Sequence, residues 1–260
     1  MNNAELDRIL ESIPDHLTVC EIMEFTNWMA VASLRWGLAV MICGQPGLSM
    51  PHQKGSYLGD YIGKPVKVSA GELLQSDNPL RAAAGMACLN SALPVPDQLF
   101  ECNAIDPFAE VVKTAPSCFI GRFQEGVDWR DAGYPVDIVE FDPGPGDIHW
   151  NKADEVLGKA EIVFITGQTL MNGTFDQVIS RTPHAKIRVL MGPSVPLTPA
   201  LFSSGIHVVG STLVVDSESA FGYFLRGGGS VTHAPDGSLK KVSLACGDCC
   251  RLFSEHVIRD

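Results

Sequence analysis

Three groups of residues combine types and spacings that can do chemistry. The first is the run Thr166-Gly167-Gln168-Thr169-Leu170-Met171-Asn172-Gly173-Thr174. Its glycines let backbone approach a ligand, and its hydroxyls and the Asn172 amide can orient one. Thr166, Gly167, Thr169, Asn172, Gly173 and Thr174 are therefore candidate ligand contacts. Asn172 or Thr174 also fits a helix cap, with Gly167 serving the turn. The second group is Glu140 and Asp142, at the end of an apolar run, where a Rossmann-type fold often holds a ribose diol. A solvated acidic strand end is the alternative reading. The third is Cys246-Gly247-Asp248-Cys249-Cys250, whose thiolate spacing suits a soft metal such as zinc or an iron–sulfur centre. A single Cys-x-x-Cys is half of a tetrahedral site, so a further ligand must come from elsewhere, His233 and His256 being nearest in the chain. Inert or redox-active thiols are the alternative there.

Ligands of open α/β sheets collect beyond the carboxyl ends of the strands, so residues just after each apolar run are candidates as well. They are Arg122 in Gly121-Arg122-Phe123, and Gly192, Pro193 and Ser194 after a later run. The turn at Gly121 lacks Gly-x-Gly-x-x-Gly, which disfavours a conventional dinucleotide site. No phosphate loop, His-Glu-x-x-His zinc motif or Gly-x-Ser-x-Gly nucleophile elbow occurs. His16, His149 and His184 read as surface or capping residues, and Trp28 and Trp36 as packing on a hairpin.

These residues need elements to position them. Leu6, Ile9, Leu10 and Ile13 recur at helical spacing and predict a helix over 4–13. Trp28–Leu34 and Leu38–Ile42 read as a hairpin, followed by a Gly/Pro-rich loop over Gly44–Pro65 long enough to suggest function or mobility. Ser69–Leu74 reads as a short helix. Asn78-Pro79 is a helix start, the amide capping free N–H groups and the proline sitting where its missing donor costs nothing. Pro94 and Pro96 close that helix, and Pro107–Lys113 reads as a short one. Beyond it, short apolar β-branched runs at 117–123, 136–141, 161–166, 185–191 and 207–215 alternate with helix-length segments, the rhythm of a parallel sheet with covering helices. The link Gln124–Pro135 is the least helix-like of these, and Lys241–Ala245 reads as a final strand. The reading is an α+β domain over 1–93, a connector over 94–113 and a Rossmann-like domain over 114–260.

The 260 residues carry 19 Lys+Arg and 30 Asp+Glu, a formal net charge of −11. Such an acidic balance argues against nucleic acid, which needs a basic footprint, and no basic run suggests an anionic membrane surface. The apolar stretch Ala30–Cys43 is interrupted by Arg35 and is shorter than the ~20 residues a bilayer span requires. With no basic and apolar leader at Met1–Asp7, the expectation is a cytoplasmic protein. In a reducing compartment the eight cysteines imply no disulfide framework. A homo-oligomer is expected on base rates alone.

The chain resembles the family of bacterial and archaeal proteins that carry the heavy-metal chelation domain. The resemblance rests on Ser76-Asp77-Asn78-Pro79-Leu80 and Gly85-Met86-Ala87-Cys88-Leu89-Asn90-Ser91-Ala92-Leu93 in the first half. In the second it rests on Ile120-Gly121-Arg122-Phe123, Ile165–Thr174 and Gly192-Pro193-Ser194-Val195-Pro196-Leu197. It implies an enolase N-terminal-like domain ahead of a Rossmann-like one, without the catalytic barrel of true enolases. It also implies a site between the two, where Asn78 and its neighbours would face the Thr166–Thr174 and Gly192–Ser194 loops. The implied role is heavy-metal chelation through a small polar ligand: a metal chelator, or a pterin-, flavin- or siderophore-like precursor that is condensed or hydrolysed. If the protein is an enzyme, Glu140 or Asp142 would hold a diol or act as base. Two other readings stay open: direct metal binding or delivery by Cys246, Cys249 and Cys250, and an S-adenosylmethionine-dependent methyltransferase-like enzyme. The one cofactor these residues point to is a metal ion.

Overall fold

The computed structural model describes residues 3–41 and 56–256. The first helix, α1 (Asn3–Glu11), is followed by an antiparallel meander of β1 (Glu21–Glu24), β2 (Trp28–Ala32) and β3 (Trp36–Val40). Trp28 pairs with Val40 and Ala32 with Trp36, the hairpin expected from sequence. Most of the Gly44–Pro65 loop lies outside the described residues, but α2 (Ser56–Gly59) and a bridge between Thr18 and Pro65 belong to it. Then come α3 (Val66–Leu74) and α4 (Pro79–Ala92).

The start of α4 follows from its sequence. Asn78 Oδ1 accepts the backbone N–H groups of Leu80 at 2.9 Å and Arg81 at 3.4 Å, and Pro79 takes the first turn. Every residue from Ala82 to Ala92 is buried, because α4 packs against β2 and β3 on one side and α3 on another. Small side chains permit that approach: a Cβ at Gly37 of β3 would lie 2.2 Å from the Ser91 nitrogen.

Two short 3-10 turns, Asp106–Phe108 and Val111–Lys113, stand where a short helix was expected. The alternating rhythm then resolves as β4 (Ser117–Ile120), α5 (Gln124–Asp131), β5 (Val136–Glu140), β6 (Ile148–His149), α6 (Asp154–Lys159), β7 (Ile162–Thr166), α7 (Gln168–Met171), α8 (Phe175–Arg181), β8 (Ile187–Met191), β9 (Val208–Val214), α9 (Ser217–Leu225) and β10 (Leu239–Ala245). The segment Gln124–Asp131, least helix-like in sequence, is helical. Its Gly126 packs so tightly under Phe119 that a Cβ there would meet the ring at 2.9 Å, so tertiary packing outweighs weak amphipathicity.

The large sheet runs β10-β9-β8-β7-β4-β5-β6, parallel except for β10, which pairs antiparallel with β9. Taken in chain order, the six parallel strands follow the doubly wound order 3-2-1-4-5-6, which reverses between β4 and β7. The fold is thus a mixed α/β one dominated by this parallel sheet. Alternate residues face opposite sides. Cys118, Ile120, Val163, Ile165, Leu190 and Val209 join a core continuous with Leu6, Ile9, Met29 and Leu89 of the first half. Phe119, Phe164, Val189 and Val208 instead meet Phe108 and Phe253 on the other face.

A third cluster locks the meander to the second half. Trp28 stacks on Phe224 of α9 at 4.7 Å and 19°, and Trp36 meets Phe221 edge-on at 4.6 Å. The two tryptophans therefore pack across the halves, not merely on their own hairpin. Among the described residues no helix is long and apolar enough to cross a membrane.

Candidate functional site

The carboxyl ends of the parallel strands open into a cleft of about 390 Å³. Its floor is the set of strand ends and turns leaving the sheet: Gly121 after β4, Glu140 at the end of β5, Thr166 at the end of β7 and Gly167 after it, and Gly192-Pro193-Ser194 after β8. Its far wall is Trp28 and Val40 from the meander, with the segment Gly229–Thr232 and Lys241 at one end. The strand order reverses at this edge of the sheet, which is where splayed βα turns leave room for a ligand.

Two glycines make the floor passable. Gly121 has φ +103 and Gly192 φ +126, left-handed values that a side chain would strain. A Cβ on Gly121 would also lie 2.9 Å from the Thr166 side chain.

Ser194 ties the floor to the wall. Its hydroxyl accepts the backbone N–H of Val40 at 2.8 Å although it is almost fully buried. Asn90 of α4 adds to this seam: its amide donates to the carbonyl of Leu38 at 2.8 Å and reaches that of Pro193 at 3.5 Å. The indole N–H of Trp28 donates to the carbonyl of Gly228 at 2.8 Å, fixing the glycine-rich segment.

Glu140 stands half-buried in the cleft at the end of β5. Burial raises its pKa, while the N–H groups of Arg122 at 2.6 Å and Phe141 at 3.3 Å favour the ionised form and partly oppose the rise. Arg122 turns its guanidinium away, onto the buried carboxylate of Asp147, which Arg130 also contacts at 2.6 Å. Glu125, also in the lining, accepts the Asn103 amide at 3.1 Å.

Of the residues expected from sequence, Arg122, Glu140, Thr166, Gly167, Gly192, Pro193 and Ser194 come together around this cleft. The others lie elsewhere. Asn78 is an exposed helix cap, and Asp142 is exposed beyond the strand end. Thr169 is buried, its hydroxyl donating to the Thr166 carbonyl at 2.8 Å. The Asn172 side-chain oxygen accepts both the N–H and the hydroxyl of Thr174, and Gly173 supplies the left-handed turn between them. The Thr166–Thr174 run is thus mostly a short helix and its exit turn rather than an open ligand loop. Residues not singled out from sequence complete the lining: Asn103, Gln124, Glu125, Gln168, Ser211, Thr212, Ser230, Thr232 and Lys241. Thr212 and Lys241 are directly opposed in the β9–β10 register, a pairing of distant segments that no local pattern announces.

Cys246, Cys249 and Cys250 sit at the amino-terminal end of β9, beyond the other edge of the sheet. The Cys246 N–H donates to the His207 carbonyl at 2.9 Å, Cys249 packs on the Phe108 and Phe253 core, and the Cys250 thiol donates to the Ala245 carbonyl at 3.0 Å. Burial raises the pKa of Cys246 and Cys249. Among the described residues no group of three or more His, Cys, Asp or Glu is arranged to hold a metal ion. The side chain of His256 lies outside the described residues.

Fold and cleft together define a doubly wound α/β protein with a pocket at the point where its strand order reverses. The chain belongs to the family described as "Putative heavy-metal chelation": one model of that description matches residues 103–243 and a second matches residues 6–93. An uncharacterized protein of Methanocaldococcus jannaschii is 33% identical over 134 residues, 48% of this chain and 51% of the relative, so the match spans about half the length of that curated relative. A protein of unknown function from the DUF364 family of Desulfitobacterium hafniense has a TM-score of 0.76 at 21% identity, over 93% of this chain and 97% of that one. A protein of the same family from Pyrococcus horikoshii has a TM-score of 0.72 at 17% identity, over 93% and 98%. At these identities the structural likeness concerns the fold alone.

Proposed function

We propose that the protein binds a small polar organic molecule, a metal chelator or its precursor, in the cleft between the meander and the large sheet. The observation that carries this reading is the cleft itself: about 390 Å³, placed where the strand order reverses, floored by left-handed glycines and lined by carboxylates, amides, hydroxyls and one lysine. Such a lining orients a ligand by hydrogen bonds while Trp28, Phe123, Met191 and Val231 supply apolar contact. A heavy metal, in this reading, is cargo carried by the organic molecule. Should the ligand be turned over, Glu140 is the group placed to take a proton or hold a hydroxyl, its raised pKa bringing it nearer the working range of a general base.

The test is native mass spectrometry of protein purified without chelators, beside the Gln168→Trp variant, which puts an indole into the cleft at the first turn of α7. The expected result is an organic mass on the wild type that is absent from the variant, with both chains folded. An organic mass retained in full by Gln168→Trp contradicts the reading. A nucleoside-type ligand, including S-adenosylmethionine, is the second reading. Glu140 supports it, since it ends the second parallel strand, the position from which this fold class reaches a ribose diol. Thermal shift with S-adenosylmethionine checks it, and no shift in either wild type or Glu140→Gln removes it.

A further inference from the structure

The two ends of the cleft differ in charge. At one end stands Glu140, beside Arg122, whose guanidinium is committed to Asp147. At the other end stands Lys241, on the antiparallel strand β10. The order β10-β9-β8-β7-β4-β5 separates the strands of Lys241 and Glu140 by five steps, on the order of 20 Å at ~4.8 Å each. That exceeds the screening length of ~8 Å at physiological salt, so the Glu140 carboxylate is weakly felt at the lysine.

The adjacent lysine shows the contrast. Lys240 points to the opposite face of β10 and pairs with Glu101 at 3.0 Å. Lys241 has no carboxylate partner among the described residues; its ammonium donates to the Thr232 hydroxyl at 3.2 Å. In a chain of net charge −11, this ammonium lines the cleft with a single hydroxyl as its hydrogen-bond acceptor among the described residues. Around it lie Thr212, directly opposite on β9, and Ser230 and Gly229 of the glycine-rich segment. That segment is held from three sides. The Trp28 indole and the Asn27 amide donate to the carbonyls of Gly228 and Gly227, and the Tyr223 hydroxyl exchanges hydrogen bonds with the Ser230 backbone. A cation, several hydroxyls and a fixed glycine-rich backbone are the parts from which oxyanion sites are built.

We propose that Lys241, Thr232 and Thr212 form an oxyanion subsite, which receives a carboxylate or phosphate-type group at one end of the ligand. The proposal rests on the cleft being the binding site. It adds that the ligand is an anion, entering with its charged end toward β10 and its neutral, hydrogen-bond-donating end toward Glu140. Anionic chelators and phosphorylated precursors share this chemistry.

The experiment is titration calorimetry of the full chain with two probes, pyrophosphate and citrate, in wild type, Lys241→Met, Lys240→Met and Lys241→Arg. We expect at least one probe to bind wild type, with citrate alone marking a carboxylate site and pyrophosphate alone a phosphate site. Lys241→Met should weaken that probe about tenfold or more, the size expected for loss of a charge-assisted hydrogen bond. Lys240→Met, which removes the same charge on the other face, should change it less than threefold, and Lys241→Arg should retain most of the affinity. A thermal melt of each variant reports folding, and Thr232→Val offers a second, uncharged removal at the subsite if Lys241→Met does not fold. Neither probe binding wild type, or equal losses in the two methionine variants, overturns the proposal. The two readings fail separately. An organic mass lost in Gln168→Trp while neither probe binds removes the subsite and keeps the cleft. Lysine-dependent probe binding beside an organic mass that Gln168→Trp retains keeps an anion site at Lys241 and removes the assignment of the organic ligand to the cleft.

Discussion

Trp28 joins the two halves at the cleft, and its replacement tests whether that junction is real. The side chain is 1% exposed, stacks on Phe224, lines the cleft and donates its indole N–H to Gly228. Trp28→Ala removes the stack, opens a cavity at the seam and leaves the Gly228 carbonyl without its donor. Truncating a buried tryptophan costs about 3–5 kcal/mol. At roughly 2–4 °C per kcal/mol for a chain of this size, the melting temperature should fall by about 6–20 °C. Trp28→Phe separates the terms. It keeps an aromatic ring against Phe224 and loses the N–H donor and part of the volume, so about 1–2 kcal/mol is expected. Urea unfolding followed by circular dichroism gives both values, and hydrogen exchange reads the segment itself: amides over 227–232 should exchange faster in both variants. A Trp28→Ala loss below about 1 kcal/mol, or unchanged exchange over 227–232 in the phenylalanine variant, would refute the argument that the indole anchors this wall.

Other consequences can be checked more briefly. Asn78→Ala should cost about 1 kcal/mol by removing the cap of α4, and leave ligand binding at the cleft unchanged, measured by urea unfolding beside native mass spectrometry. Burial raises the pKa of Glu140 above its ordinary 4.5, so as pH climbs past that value the unfolded chain ionises first and the folded state loses stability. The stability of wild type relative to Glu140→Gln should therefore fall as pH rises from about 4.5, and a difference that is flat or rises with pH counts against a raised pKa. The thiol of Cys88 is pushed up to about 12 by burial and that of Cys118 is raised too, whereas Cys20 is exposed. Iodoacetamide at pH 8 should label Cys20 and spare Cys88 and Cys118 until the chain is unfolded, as read by peptide mass spectrometry.

The parts of the fold visible in the sequence are those with local causes. The Asn78-Pro79 start, the hairpin at 28–40 and the alternation of buried runs with helices each follow from neighbouring residues, and the structure contains all three. Helix α5 was obscured because its stability comes from Gly126 fitting under Phe119, a tertiary contact. The candidate site divides in the same way. Residues at or just beyond strand ends, such as Arg122, Thr166 and Gly192, could be found from the rule that ligands gather at carboxyl ends. Lys241 and Thr212 could not, because their meeting depends on the register of an antiparallel strand added far along the chain. Asn172 and Thr174 show the converse: short polar side chains serve caps and binding loops alike, and here they bond to one another.

The cleft at the carboxyl edge of the sheet, and not the Cys246–Cys250 turn, is proposed to hold the ligand. A crystal structure of protein purified without chelators, with anomalous data collected across metal absorption edges, tests it most directly. Organic density is expected over the Gly121 and Gly192 turns, with any anomalous peak lying inside that density. An anomalous peak bonded to Cys246, Cys249 and Cys250, beside a cleft that holds water alone, would contradict it.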